Sequence, residues 1–350
     1  MLLPEIGLLP PPLHSPWIGS TGPEPTTGSP ATDSTADQQR TLFWYDPPWH
    51  FVSPAIARKI IAAVDALHVP TAVLGRDIGE ASIGDALLRH PIAPYRPDRY
   101  GVQLDDLQHA PMIDIRLARA RDYSGRYAYA PEQVTRWLGA DVGEEEGMPT
   151  TGATHFPAPG WPAELPTVES LSGKFAQLRL LQPGVQCGLS VTPYFVQQEL
   201  PAFLKAKPDV VILRMDDSDE LQGMRLATTV VAVRQLVDAH CPHARLWVVP
   251  PDRPTPDDCA KLYALGANAV AIDWWCQPLI ANAPSAGSWQ AVESDATNPF
   301  LATAKELLYP LFERVAGLLQ SCGVQHASNL TRKHLVSSDP TIAKQLGIRH

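Results

Sequence analysis

The sequence has no surplus of positive charge: 28 Lys and Arg stand against 37 Asp and Glu, a formal net charge of -9 over 350 residues. Such a balance offers no electrostatic footprint for nucleic acid or an anionic membrane, and neither is expected as a partner. No run approaches the roughly 18 apolar residues of a membrane span. No secretory signal is expected either, since Met1-Leu2-Leu3-Pro4-Glu5 carries no basic residue and its apolar start is broken at Pro10-Pro11-Pro12. Cysteine is sparse and odd in number, and Cys187, Cys241, Cys259, Cys276 and Cys322 fall mostly inside expected strands and helices. That usage fits reduced core thiols better than a disulfide framework, and the expected location is the cytoplasm. What the chain does have is 45% hydrophobic content, ample for the core of one barrel-sized domain or two ordinary ones.

The most informative stretch runs from Arg245 to Ile280. Thr255 is placed to cap a helix, Pro256 suits its first position, and Asp257 and Asp258 suit the positive end of the dipole. Gly266 ends that helix, because glycine alone takes the left-handed conformation without steric cost. The apolar runs Arg245 to Val249 and Ala269 to Ile272 flank it, so strand, helix and strand form one βαβ unit with parallel strands.

The same alternation recurs. Candidate strands are Thr41 to Tyr45, Thr71 to Gly75, Met112 to Leu117, Gln186 to Val191 and Asp209 to Leu213. Helices are expected after the Ser53-Pro54 cap, over Val168 to Leu180, Gln197 to Lys205 and Leu226 to His240. About seven strands alternating with helices favour an α/β fold of the closed (β/α)8 TIM barrel type over an open doubly wound sheet. The lack of a G-x-G-x-x-G after the first strand points the same way.

Residues 1–40, rich in Pro, Gly, Ser and Thr, read as a disordered arm. The barrel is expected over 41–299, with a long insertion near 123–166, and residues 300–350 as a helical tail packed on it. Pro310 is expected to kink or split the tail's long helix.

Several segments resemble the FMN-binding domain of glutamate synthase and its single-domain relatives. Thr255 to Ile272 is similar to that family's T-x-x-D-x-A-K-x-x-A-L-G-A-x-A-V-x-x. Tyr100 to Leu107, leading into Ile113-Asp114-Ile115-Arg116-Leu117, resembles the segment entering its I-K-I-G-Q-G-A-K-P-G motif. Phe312 to Gly323, Asn329-Leu330-Thr331 and Thr341 to Ile348 look like its C-terminal tail.

The motifs that hold the flavin in that family depart from the pattern here. Its glycine-rich phosphate loop should follow Ile212-Leu213, where this chain reads Arg214-Met215-Asp216-Asp217-Ser218-Asp219-Glu220. Phosphate needs close backbone N–H groups or cations, and a like-charge pair at about 4 Å costs near 4 kcal/mol at an effective dielectric of about 20. A second phosphate-gripping glycine is replaced by Pro250-Pro251, which donate no N–H. Ser190 stands where a flavin-facing lysine is implied, and Gly75-Arg76-Asp77-Ile78-Gly79 is the only match to Thr-Gly-Glu-Gly-Gly. Only Cys322 follows Cys276, 46 residues on, so no iron–sulfur cluster is expected, and no glutaminase domain is expected either.

Other clusters carry both a functional and a bland reading. Arg116, Arg119 and Arg121 could present an anion site or a solvated loop paired with acids. Asp216, Asp217, Asp219 and Glu220 could bind a divalent cation or form an exposed acidic loop. His240-Cys241-Pro242-His243 lacks a second ligand pair at zinc spacing and reads as a helix-end turn, with no metal expected. Asp273-Trp274-Trp275-Cys276 sits at the strand end where barrel sites lie, as pocket wall or as core.

The expectation is a flavoenzyme-like barrel that has lost FMN and catalysis and serves as a scaffold or regulatory partner, bound to another protein or to copies of itself. Two alternatives stand beside it: an FMN-dependent oxidoreductase of glutamate synthase type working with other subunits, and a binder of an anionic small molecule. If cofactor binding persists, Arg116, Arg119, Ser190, Arg214 and Gly266 are the positions expected nearest to it.

Overall fold

The computed structural model describes residues 1–11, 41–79, 88–96, 102–117, 165, 167–215, 221–283 and 298–350, with the backbone pairs 128–129 and 156–157. Eight strands form one sheet: β1 (Leu42–Phe43), β2 (Thr71–Ala72), β3 (Pro91–Tyr95), β4 (Met112–Arg116), β5 (Gln186–Val191), β6 (Val210–Arg214), β7 (Arg245–Val249) and β8 (Ala269–Ala271). Each pairs in parallel with its sequence neighbour, and β8 returns to β1. A parallel bridge between Trp44 and Thr71 joins β1 to β2 and closes the ring. There Ala72 N donates to Trp44 O at 2.9 Å and Trp44 N to Pro70 O at 2.8 Å. The fold is the (β/α)8 barrel, as the alternation implied.

One strand had no forecast. β3 reads Pro91-Ile92-Ala93-Pro94-Tyr95, and two prolines argue against a buried strand because each removes a ladder donor. Here Pro91 occupies the first position, and all five residues are buried between β2 and β4.

Side chains alternate between the two faces of the sheet. Phe43, Tyr45, Met112, Ile212, Trp247 and Val249 face inward with others as one cluster, while Ile113, Ile115, Leu213, Leu246 and Val270 face the helices in a second. The inner face is tight: a Cβ on Gly188 would lie 2.6 Å from the Met112 methyl.

The helices are α1 (Pro54–Asp65), α2 (Leu104–His109), α3 (Ser170–Leu181), α4 (Val196–Leu204), α5 (Gly223–His240), α6 (Pro256–Leu265), α7 (Asp273–Ala281), α8 (Pro299–Ser321) and α9 (Pro340–Leu346). Their caps follow the forecast: Ser53 Oγ accepts from Ile56 N, Thr255 forms a capping box with Asp258, and Gly266 ends α6 at φ 116°. A side chain at Gly266 would strike Arg234, whose Cγ lies 2.5 Å from the Cβ position.

Of the two outcomes expected at Pro310, a kink or a split, the split does not occur, and the start of the arm departs from expectation. The long tail helix α8 is neither split nor ended by Pro310, and it packs across α1, α6 and α7. Pro310 lies on its exposed side, where water can satisfy the carbonyl that proline leaves without its helical partner. The arm expected to be disordered is ordered at its start, because its few apolar residues have a prepared seat. Leu2, Leu3 and Ile6 are buried. Asp258 Oδ1 accepts from Leu2 N at 2.9 Å and Leu3 N at 3.0 Å, and Lys261 Nζ donates to Leu3 O at 3.0 Å. Gly7–Leu8 then pairs antiparallel with Leu335–Val336, tying this segment to the tail. Residues 12–40 and most of the 123–166 insertion lie outside the described residues, apart from the antiparallel pair Ala128–Tyr129 with Phe156–Pro157.

Burial opposes ionisation of Asp258, but bonds from the Thr255 hydroxyl and the Leu2, Thr255 and Leu3 amides outweigh it and hold its carboxyl below the usual range. A depressed carboxyl contributes stability above its unfolded value, about 3.9, and that contribution is lost as pH falls through the folded value. Asp258→Ala removes a cap and strands two buried amides, so chemical denaturation at pH 7 is expected to show a loss of about 2–4 kcal/mol. The gap from wild type should shrink as pH falls below the unfolded value of about 3.9.

Candidate functional site at the barrel mouth

The C-terminal ends of the strands are where barrels place their chemistry, and here that end is filled from within. On β4, residues 112, 114 and 116 share the inward face, so Met112 lies deepest, Asp114 next and Arg116 at the rim. β5 brings Ser190 opposite Arg116, and β6 brings Ile212 opposite Ser190 with Arg214 beyond it. Tyr45 and Asp46 follow the end of β1.

These side chains form one network. Arg116 Nε donates to Asp114 Oδ2 at 3.1 Å, Nη1 to Asp46 Oδ1 at 2.8 Å, and Nη2 to the Tyr45 carbonyl. Ser190 Oγ donates to Asp114 at 2.7 and 2.8 Å from its two oxygens, and receives the Tyr45 hydroxyl at 2.9 Å. The Arg116 guanidinium lies 4.2 Å from the Tyr45 ring centre and that of Arg214 5.7 Å. Arg96, at the end of β3, lies 3.9 Å from Asp46. Asp273, opening α7, receives Tyr45 N at 3.1 Å and Asp46 N at 2.7 Å.

Burial makes these contacts consequential. Tyr45, Asp114, Arg116 and Ser190 are each at most 3% exposed. Burial pushes the Asp114 carboxyl up, against the pull of Arg116 and the Ser190 hydroxyl. At Asp46 burial also opposes ionisation, but Arg116, Arg214 and Arg96 outweigh it and hold the carboxyl below its ordinary range. Burial opposes charge on Arg116 too, yet Tyr45, Asp46 and Asp114 keep it protonated. The Tyr45 phenol is driven far up by burial.

Of the positions expected near a cofactor, Arg116, Ser190 and Arg214 are brought together, and Arg119 lies outside the described residues. Gly266 does not belong with them. It precedes β8, so it sits at the opposite end of the barrel, where its role is to turn the chain past Arg234. Of the two readings open for Arg116, an anion site or a cation paired with acids, the structure shows the pairing, with Asp46 and Asp114 as its carboxylates. The acidic run from Asp216 to Glu220 and Arg121 also fall outside the described residues. His240-Cys241-Pro242-His243 is the helix-end turn anticipated, with Cys241 Sγ 3.5 Å from His243 Nε2. Among the described residues no group of three or more His, Cys, Asp or Glu could hold a metal ion. No helix among them is long and apolar enough to cross a membrane.

Tyr45, Asp46, Arg96 and Asp114 went unnoticed in the sequence. Asp114 did leave a signal, because a carboxylate between Ile113 and Ile115, two residues from Arg116, shares the arginine's face of the strand.

Beside the network, between the ends of β1, β7 and β8, lies a cavity of about 290 Å³ walled by Asp46, Asp273, Trp274, Gln277, Pro250 and Pro251 among others. In many barrels the loops after the seventh and eighth strands grip phosphate. Here those loops present Pro250-Pro251, which lack N–H donors, and the Asp273 carboxylate at the start of α7. The described residues therefore do not fit the phosphate of FMN at this position.

No family model matches the sequence, and no curated protein matches it. Solved structures do match in fold. A soluble mutant of the membrane-associated (S)-mandelate dehydrogenase from Pseudomonas putida superposes with a TM-score of 0.55 at 15% identity, over 85% of this chain and 79% of that one. The recombinant flavin-binding domain of baker's yeast flavocytochrome b2 gives 0.52 at 12% identity, over 84% and 68%. At such identities the likeness establishes the barrel fold that they share.

Ser190 joins Tyr45 to Asp114, so its removal should cost more than removal of the phenol hydroxyl. Ser190→Ala is expected to lose about 1–3 kcal/mol and Tyr45→Phe about 1 kcal/mol, read from urea unfolding midpoints. Equal, negligible losses would mean that the network is not held in solution.

Proposed function

We propose that this chain keeps the barrel of FMN-dependent oxidoreductases without their flavin chemistry, and works as a scaffold or regulatory partner through contact with another protein or with copies of itself. One observation carries the reading: Arg116, a cation of the mouth, is paired with Asp46 and Asp114 and donates to the Tyr45 carbonyl, all groups of the barrel itself. A flavin phosphate would compete with Asp46 and Asp114 for Arg116, and the adjoining loop offers prolines and a carboxylate instead. The same pairing disfavours an anionic small molecule at Arg116. Large apolar side chains stand exposed at Phe51, Leu104, Leu180 and Phe195, which supports a role in protein contact.

A second reading is favoured by the fold likeness to the mandelate dehydrogenase and the flavin-binding domain. In that reading the protein is an FMN-dependent oxidoreductase, of the glutamate synthase type and acting with other subunits. FMN would supply electron transfer when bound, and residues of the undescribed loops would have to supply its phosphate grip.

Absorbance of the purified protein between about 350 and 500 nm, before and after excess FMN is added and removed, separates the two. The scaffold reading expects no retained flavin bands. Bands near one equivalent would overturn it in favour of the oxidoreductase.

A further inference from the structure

The segment 1–9 sits in a groove built by later parts of the chain. Gly223 N, at the start of α5, donates to Leu2 O at 2.8 Å, and Ser337 Oγ donates to Glu5 O at 2.9 Å. Leu9 N donates to His334 O at 2.8 Å, beside the pairing of Gly7–Leu8 with Leu335–Val336. Together with the Asp258 and Lys261 bonds to Leu2 and Leu3, every hydrogen bond the segment makes beyond itself, among the described residues, ends on α5, α6 or the tail. On the segment's side each of these bonds uses a backbone group. The groove therefore reads an extended backbone and three apolar side chains, Leu2, Leu3 and Ile6, which is how folds recognise a peptide strand supplied from outside. Residues 12–40 connect the segment to β1, and a chain of that length can span about 100 Å. The groove of a neighbouring molecule is thus within reach as well as its own, and reciprocal exchange would keep each contact unchanged. What favours the chain's own segment is proximity, which gives a tethered ligand an effective concentration in the millimolar range.

We propose that this groove is an interface between copies of the chain, seating residues 1–9 of a second molecule when its own segment is out. The inference rests on the scaffold reading, for which it names one partner. Its readouts are mass and peptide binding, so its failure leaves that reading with another protein as partner, while retained flavin would sink the reading without touching the groove.

Two full-length variants separate seating within a chain from seating between chains. Leu2→Asp/Leu3→Asp expels the segment and leaves the groove empty, whereas Asp258→Ala weakens the groove and keeps the segment. Ile6→Asp and Lys261→Met stand in for whichever of the two loses the circular dichroism of the wild type. Sedimentation velocity at about 100 µM should find each variant alone monomeric and their equimolar mixture forming a heterodimer. Wild type at about 10 µM should be monomeric, because proximity favours its own segment. A fluorescent synthetic peptide of residues 1–11 should bind the Leu2→Asp/Leu3→Asp chain saturably and wild type at least about tenfold more weakly, and the peptide carrying the same two substitutions should not bind. A mixture that stays monomeric would overturn exchange between copies, and peptide binding without the heterodimer would assign the groove to a segment of another protein. A folded Leu2→Asp/Leu3→Asp chain that binds neither peptide, or both equally, would overturn the groove as a docking site.

Discussion

A guanidinium sealed inside a barrel must be neutralised where it stands, and most of the mouth of this protein follows from how Arg116 meets that constraint. Leaving such a charge unpaired costs several kcal/mol, so carboxylates must come within hydrogen-bond reach from other elements. Asp114 comes from the same strand two residues earlier, and Asp46 from the far side of the ring. Asp114 then needs its own donor, which β5 supplies as Ser190, and Ser190 in turn takes the Tyr45 hydroxyl. The chain of requirements joins β1, β4 and β5 across the barrel.

The same logic of prepared partners recurs outside the barrel. Asp258 caps its own helix and holds the amides of Leu2 and Leu3, so a segment too polar on average to fold alone is anchored by three apolar residues and a carboxylate. The strand pair Gly7–Leu8 with Leu335–Val336 then connects that segment to the tail, and α8 lies across α1, α6 and α7. The start and end of the described chain thus share one outer surface, away from the barrel interior.

Architecture was legible wherever it is written locally. Thr255, Pro256 and Gly266 mark a helix by capping chemistry that does not depend on the rest of the fold, and the structure keeps each of them in that role. β3 was not legible, because Pro91 and Pro94 carry a local signal against a strand that tertiary pairing overrides. The ordered start was missed for a related reason: composition averages over 1–40 and dilutes Leu2, Leu3 and Ile6. At the site, sequence put Arg116, Ser190 and Arg214 toward strand ends but could not show that the charge of Arg116 is paired inside the barrel. Gly266 was misplaced by its motif, since a turn glycine at the wrong end of a barrel looks the same in sequence as one at the mouth. Asp46 and Asp273 are distant in sequence, and only closure of β8 onto β1 brings them together.

The central claim is that Arg116 is coupled to Asp114 and is not held ready for an outside anion. A double-mutant cycle in folding stability measures that coupling: Arg116→Met, Asp114→Leu and the two combined. Each single change leaves the other charge buried and should cost about 3–5 kcal/mol, whereas the double change removes both and should recover at least about 2 kcal/mol of the summed loss. Additive losses would contradict the account and return Arg116 to the list of groups available to a ligand.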